Sequence, residues 1–224
     1  SNAHKQLADW LKLPVKYYEN VRREKPQLLE SLLNALFARS GQYKLFRTQD
    51  NMLKALFNDC YLRYDNLELL DAVNILLERQ RTLQLVSAEL TPERMYLKII
   101  DRKYKEVLQN GDCVYAGVAI SNSEIGVDTL KFEPMFYKAQ TKSCYIFRDY
   151  AKRIYHTDKQ VSKNCVNHEL IDYDSIVMNF EPLQESIVDI IADTIKAQPA
   201  VKIIALIKAN DASSMDISSD YLSS

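Results

Sequence analysis

The densest group of side chains able to do chemistry lies between residues 131 and 163. Lys131, Lys138, Lys142, Arg148, Lys152, Arg153, Lys159 and Lys163 stand there against Glu133, Asp149 and Asp158, a local balance of +5. Tyr137, Tyr145, Tyr150 and Tyr155 are interleaved with them. Cations track a phosphate backbone, and aromatic faces stack on unpaired bases, so the pattern fits a single-stranded nucleic acid. Cys144, Phe147, Ala151 and Ile154 recur at helical spacing, which predicts a helix from about Ser143. Arg148, Lys152 and Tyr155 would share its opposite face. The candidate nucleic-acid-binding residues are therefore Lys142, Arg148, Lys152, Arg153 and Tyr155. An amphipathic helix with a solvated basic face and half-buried tyrosines has the same composition and is the plainer account.

A second group is Ser121-Asn-Ser-Glu-Ile-Gly126. Asn and Ser side chains bond nearby backbone, and Gly accepts positive φ, so a hairpin connection explains the pattern. The same hydroxyls, amide and N–H groups can hold a phosphate oxygen, which makes Asn122 and Ser123 secondary candidates. Glu124 works against that reading by repulsion. Residues 169–195 hold seven acids (Glu169, Asp172, Asp174, Glu181, Glu185, Asp189 and Asp193) and no Lys or Arg. They could neutralise the basic segment within the fold or in a neighbouring subunit, giving a homo-oligomer. Asp189 and Asp193 are i, i+4 neighbours, but nothing else there recruits a cation, so no metal is assigned.

Signals for catalysis are sparse. The chain has three histidines, and His4 adjoins Ser1, Asn2 and Ala3, which read as a remnant of tag cleavage and are set aside. Cys144 or Cys165 with His156 or His168 would be the nucleophile–base pair of an enzyme. No nucleophile elbow, phosphate-binding glycine loop or His-Glu-x-x-His pattern accompanies them. Cys165-Val-Asn-His168 has half of a zinc spacing, without a second half. No cofactor is assigned. The cysteines form no Cys-x-x-Cys pair, which fits reduced thiols in a cytoplasm.

The elements that must position these groups are legible from periodicity. Helices are expected through the first forty residues, with Pro26 opening one and Gly41 closing it. Strands follow at Tyr43–Arg47 and around Leu53–Phe57. Asp65-Asn66 caps a helix from about Leu67 to Arg81, with Leu67, Leu70, Val73, Leu76 and Leu77 on one face. Strands are expected at Leu83–Ala88, Met95–Asp101, from Val114 to Ile120 and from about Val127 to Tyr137. Pro134 cannot donate to a ladder and marks a bulge or open edge. Leu183, Ile187, Ile190, Ile191 and Ile195 line a last helix that ends before Pro199. This order predicts an α+β fold: a single domain over residues 4–209, with an antiparallel sheet of about five or six strands and helices before and after it. Residues 210–224 read as a polar, Ser-rich tail.

The whole chain has 224 residues, a formal net charge of -1, 47% hydrophobic and 26% charged residues. That excludes intrinsic disorder. It looks unfavourable for a generally basic binder. Outside residues 131–163, however, 21 basic face 27 acidic residues, a balance of -6, so near-neutrality is the sum of two opposed regions. No apolar run approaches the ~18 residues of a membrane span.

Tyr115-Ala-Gly-Val-Ala-Ile-Ser-Asn-Ser-Glu-Ile-Gly126, followed by Leu130-Lys-Phe-Glu-Pro134, resembles the signature of the phage/plasmid-like family called domain of unknown function 932. Leu13-Pro14 with Tyr17-Tyr18, Leu45-Phe-Arg-Thr48, and Asn58-Asp59 with Tyr61, Asp65 and Asn66 are similar to its N-terminal half. The likeness covers most of residues 7–156. It departs at Lys138-Ala-Gln-Thr-Lys-Ser-Cys-Tyr145, where family members commonly carry Cys-Thr-Asn-Gly. The resemblance implies a mobile-element gene in a bacterial cytoplasm and no defined reaction. Three functions follow as expectations: non-catalytic binding of single-stranded nucleic acid, an assembly module pairing basic with acidic surfaces, and a Cys/His enzyme.

Overall fold

Helix stop and start signals divide the N-terminal forty residues where the spacing predicts. In a computed structural model, α1 spans Asn2–Trp10, α2 Val15–Glu24 and α3 Pro26–Ser40. Pro26 sits in the first turn of α3, where its missing N–H costs nothing. Gly41 ends that helix at φ 58°, in the left-handed region that suits a residue without Cβ. Asn2 and Ala3, set aside as a tag remnant, lie within α1. Ala3 is fully buried, and the Asn2 amide donates to the Ile125 carbonyl at 2.8 Å.

The structure describes residues 2–41, 44–58, 61, 63–108, 111–154, 180–196 and 204. They fall into two compact units. The first holds residues up to Arg63 together with Glu124–Asp128. Here β1 (Lys44–Gln49) and β2 (Met52–Asn58) form an antiparallel hairpin. Asp50 and Asn51 close it with both φ values positive, the two-residue turn that matches strand twist. Leu7, Ala8, Tyr18, Leu29 and Leu56 form the core between helices and hairpin. Gly126 faces Phe57 so closely that an added Cβ would lie 2.6 Å from its ring. Arg47 donates to Glu124 across 2.7 Å.

The second unit is built on a six-stranded antiparallel sheet. Its helix α4 (Asn66–Arg79) begins at a capping box in which Glu68 accepts from the Asp65 N–H at 2.6 Å. Strands β3 (Leu83–Leu90), β4 (Met95–Val107), β5 (Cys113–Asn122), β6 (Leu130–Lys138) and β7 (Ser143–Ile146) are neighbours in that order. β8 (Lys152–Ile154) also pairs with β6. Helix α5 (Phe180–Lys196) closes the described chain apart from Ile204. Leu69, Val73 and Leu76 of α4 and Ile187, Ile191 and Ile195 of α5 pack against Leu97, Ile99, Val118, Ile120, Leu130 and Phe132. This is the α+β architecture read from the sequence.

Three local expectations change. Leu67 is 69% exposed, and the buried stripe of α4 is Leu69, Ala72, Val73 and Leu76. Leu70 and Leu77 of the expected face are partly buried against the same core, so only Leu67 departs from it. β4 continues beyond Asp101 through an irregularity between Asp101 and Lys105. The third change concerns the segment after Ser143.

Candidate nucleic-acid interface

The helix expected from Ser143 is absent, and the segment is instead β7, a 3-10 turn over Arg148–Tyr150 and β8. The apolar positions Cys144, Phe147, Ala151 and Ile154 do recur every three to four residues. An unsatisfied ladder on the outer side of β6 outweighs that local period. β7 covers Met135–Lys138 and β8 covers Leu130–Phe132 of the same strand. The gap falls at Glu133 and Pro134. The Pro134 carbonyl accepts from the Phe147 N–H at 2.8 Å, so this residue's polar groups face outward, away from β5. Its missing N–H therefore lies where the outer ladder is interrupted, which is the broken edge its position predicts.

Strand alternation decides where the basic side chains go. Lys152 and Ile154 stand opposite Phe132 and Leu130, on the side covered by α4 and α5. Lys152 accordingly meets Asp193 of α5 at 3.6 Å. Arg153 stands opposite Lys131, on the other side of the sheet. Arg148 lies in the 3-10 turn beside Asp149. Lys142 lies in the β6–β7 turn with φ 51°. All four cations are exposed. They are strung along one edge, roughly 30 Å long for a strand of nine residues. Arg148 and Lys152, expected on one helical face, lie instead in the 3-10 turn and on β8. Lys142, Arg148 and Arg153 make no ion pair among the described residues. Lys152–Asp193 is exposed on both sides and contributes at most about 1 kcal/mol. Tyr155 lies outside the described residues, as do His156, Cys165 and His168.

Aromatic side chains missed as a group complete the edge. Phe136 and Tyr145 stand opposite each other on β6 and β7 with rings 5.5 Å apart and 11° from parallel. Phe147 meets the Tyr145 ring edge-on at 5.1 Å and 64°. Tyr145 is 58% exposed and Tyr150 59%. Alternation across a β6–β7 pair would have revealed this group. The helical reading concealed it.

Asn122 and Ser123 do not belong to this edge. Both are fully buried. The Asn122 amide donates to the Tyr64 carbonyl and to Asn66 Oδ1, each at 3.0 Å, tying β5 to the start of α4. The Ser123 hydroxyl donates to the Glu93 carbonyl at 2.9 Å. Their polarity serves the fold, and neither presents a donor to a phosphate. Nearby Tyr64 is buried, which pushes its hydroxyl pKa well above the usual tyrosine range, helped by Glu68 and Asp71.

Lys142 is the one edge cation under backbone strain, since a left-handed conformation costs a residue with Cβ roughly 1–2 kcal/mol. Lys142→Gly is expected to raise stability by about 1 kcal/mol after the entropy cost of glycine, whereas Lys142→Ala leaves it unchanged. Urea unfolding midpoints at constant slope check both.

Other chemistry is thin among the described residues. No group of three His, Cys, Asp or Glu there could hold a metal ion. Cys113 and Cys144 are half-buried free thiols, and no hydrogen bond joins either to a described histidine. The described helices include none long and apolar enough to cross a membrane. In the first unit, an apolar groove of about 430 Å³ is lined by Leu7, Leu29, Leu33, Phe37 and Phe46, with His4, Arg22 and Glu30 at its polar positions. The His4 ring and the Tyr18 hydroxyl are 3.1 Å apart there. Burial first, then Arg22, holds the His4 pKa below the usual histidine range.

The sequence matches no protein-family model, no curated protein and no solved structure.

Proposed function

We propose that this chain is a phage- or plasmid-type protein that binds single-stranded nucleic acid without catalysing a reaction. The observation that carries the reading is the β7–β8 edge. It sets Lys142, Arg148 and Arg153, three cations without ion pairs among the described residues, along one line with two largely exposed tyrosines. A flexible polyanion can follow such a line, while a single small ligand cannot reach its whole length. The resemblance of residues 115–134 to a phage/plasmid-like family supports the mobile-element context.

The test is anisotropy of a fluorescein-labelled oligothymidylate with the full chain from low to moderate salt. Three phosphate contacts on a single strand predict a slope of about -2 in log affinity against log salt. Binding that is absent at the lowest salt, or indifferent to salt, rejects the proposal.

The assembly reading rests on a different observation. Lys152 already meets Asp193, so α5 carries acids complementary to this edge. A second copy could offer the same acids to Arg148 and Arg153. Light scattering at two salt concentrations separates the two readings. Salt-labile self-association without oligonucleotide binding favours assembly.

A further inference from the structure

We infer that Tyr145 is the residue on which a nucleobase stacks, so that the edge recognises the faces of unpaired bases as well as phosphate charge. This rests on the nucleic-acid reading above and adds to it a second, uncharged source of affinity.

The geometry of the ring carries the inference. One face of Tyr145 is backed by Phe136, nearly parallel at 11°. Phe147 packs beside it at a steep 64°, with ring centres 5.1 Å apart. These contacts hold the ring in one orientation before any ligand arrives. The ring nevertheless remains 58% exposed. A tyrosine placed for packing alone would turn both faces to protein, and one placed for solubility would need no aromatic support. A supported ring with an open face loses little freedom on binding a flat partner, which favours affinity. Every base has such a face, so the contact tolerates any sequence.

Register places charge beside the platform. Lys138 follows Phe136 by two residues on the same side of β6, opposite Ser143. Lys142 precedes Tyr145 by three residues, and Arg148 follows Phe147 directly. A strand whose phosphates follow these cations brings its bases within reach of the ring. A duplex keeps its base faces stacked internally and gains nothing from Tyr145.

The experiment compares an oligothymidylate with an abasic oligonucleotide of equal length and charge. It uses the full chain and its Tyr145→Leu and Tyr145→Phe variants. The wild-type chain is expected to bind the base-containing strand roughly tenfold more tightly, the scale of one base–aromatic stack. Tyr145→Phe keeps that ratio. Tyr145→Leu brings it close to one and leaves the salt slope unchanged. Salt-sensitive binding by the wild-type chain with equal affinity for both strands overturns the stacking role and leaves the charge-based reading standing. A tenfold preference that persists in Tyr145→Leu also overturns it. Absence of binding to either strand removes both. If Tyr145→Leu does not fold, ultraviolet crosslinking of a 5-iodouracil strand to the wild-type chain, mapped by peptide mass, must mark Tyr145, and a crosslink elsewhere overturns the stacking role.

Discussion

Neutralising Lys142, Arg148 and Arg153 together with glutamine is expected to weaken single-strand binding roughly 10²- to 10³-fold at about 50 mM salt. The size follows from counterion release. Each phosphate contact on a single strand contributes about 0.7 to the salt exponent, so losing three removes about two powers of the salt concentration. The slope should fall from about -2 towards zero in the same variant, and each single substitution should remove about a third of it. All three side chains are exposed, and none makes an ion pair among the described residues. Arg148→Gln and Arg153→Gln should therefore change stability by no more than about 0.5 kcal/mol, which keeps affinity loss separate from unfolding. Lys152→Gln provides the internal comparison. Its cation already meets Asp193, so its effect on the slope should be the smallest of the four. A triple variant that binds within threefold of the parent would place the interface elsewhere.

Gly117→Ala is expected to cost about 3 kcal/mol, and Gly117→Val to leave no folded second unit. Gly117 stands opposite Ile100 on β4 and Met135 on β6, in the middle of the sheet. A Cβ there would lie 2.3 Å from the Ile99 carbonyl oxygen and 3.1 Å from both Ile100 Cα and Met135 Cε. The methionine tip can move aside. The carbonyl cannot, because it belongs to the backbone of the central pair, and shifting it loosens the β4–β5 ladder. That ladder also supports β6, on which the whole binding edge is laid. Urea unfolding reads the loss as a lower midpoint at constant slope. A cost below 1 kcal/mol would show that β4 and β5 separate locally without disturbing their neighbours.

The sequence made most of the sheet legible because β3 to β6 are long enough to show alternation or continuous burial. Pro26, Gly41 and the Asp65-Asn66 cap were equally readable, since each acts through its own backbone. The segment from Ser143 was not. β7 has four residues and β8 three, too few to display a period of two. The spacing of Cys144, Phe147, Ala151 and Ile154 then matched a helix by coincidence of composition. What placed these residues was pairing with β6, a contact made across the sequence. Lys142, Arg148, Lys152 and Arg153 are exposed, but the common face expected for Arg148 and Lys152 came from the helical phase. Asn122 and Ser123 were read as an accessible turn because polar residues usually mark one. Asn122 instead ends β5 and Ser123 follows it, both buried, and only their partners Tyr64, Asn66 and Glu93 explain the polarity. The exposed Tyr145 ring required knowing that Phe136 lies opposite it.

The interruption opposite Glu133 and Pro134 bears on how this molecule behaves in a crowd of its own kind. A sheet that ends in one long, flat strand offers a neighbouring chain a template for edge-to-edge growth. Here the outermost backbone is cut into two short pieces separated by a 3-10 turn. Lys152 and Arg153 occupy two of the three positions of the second piece. Another copy approaching along this side finds no continuous row of N–H and C=O groups and meets like charge. The same break that spreads the cations along the edge therefore also protects the protein against aggregation at high concentration.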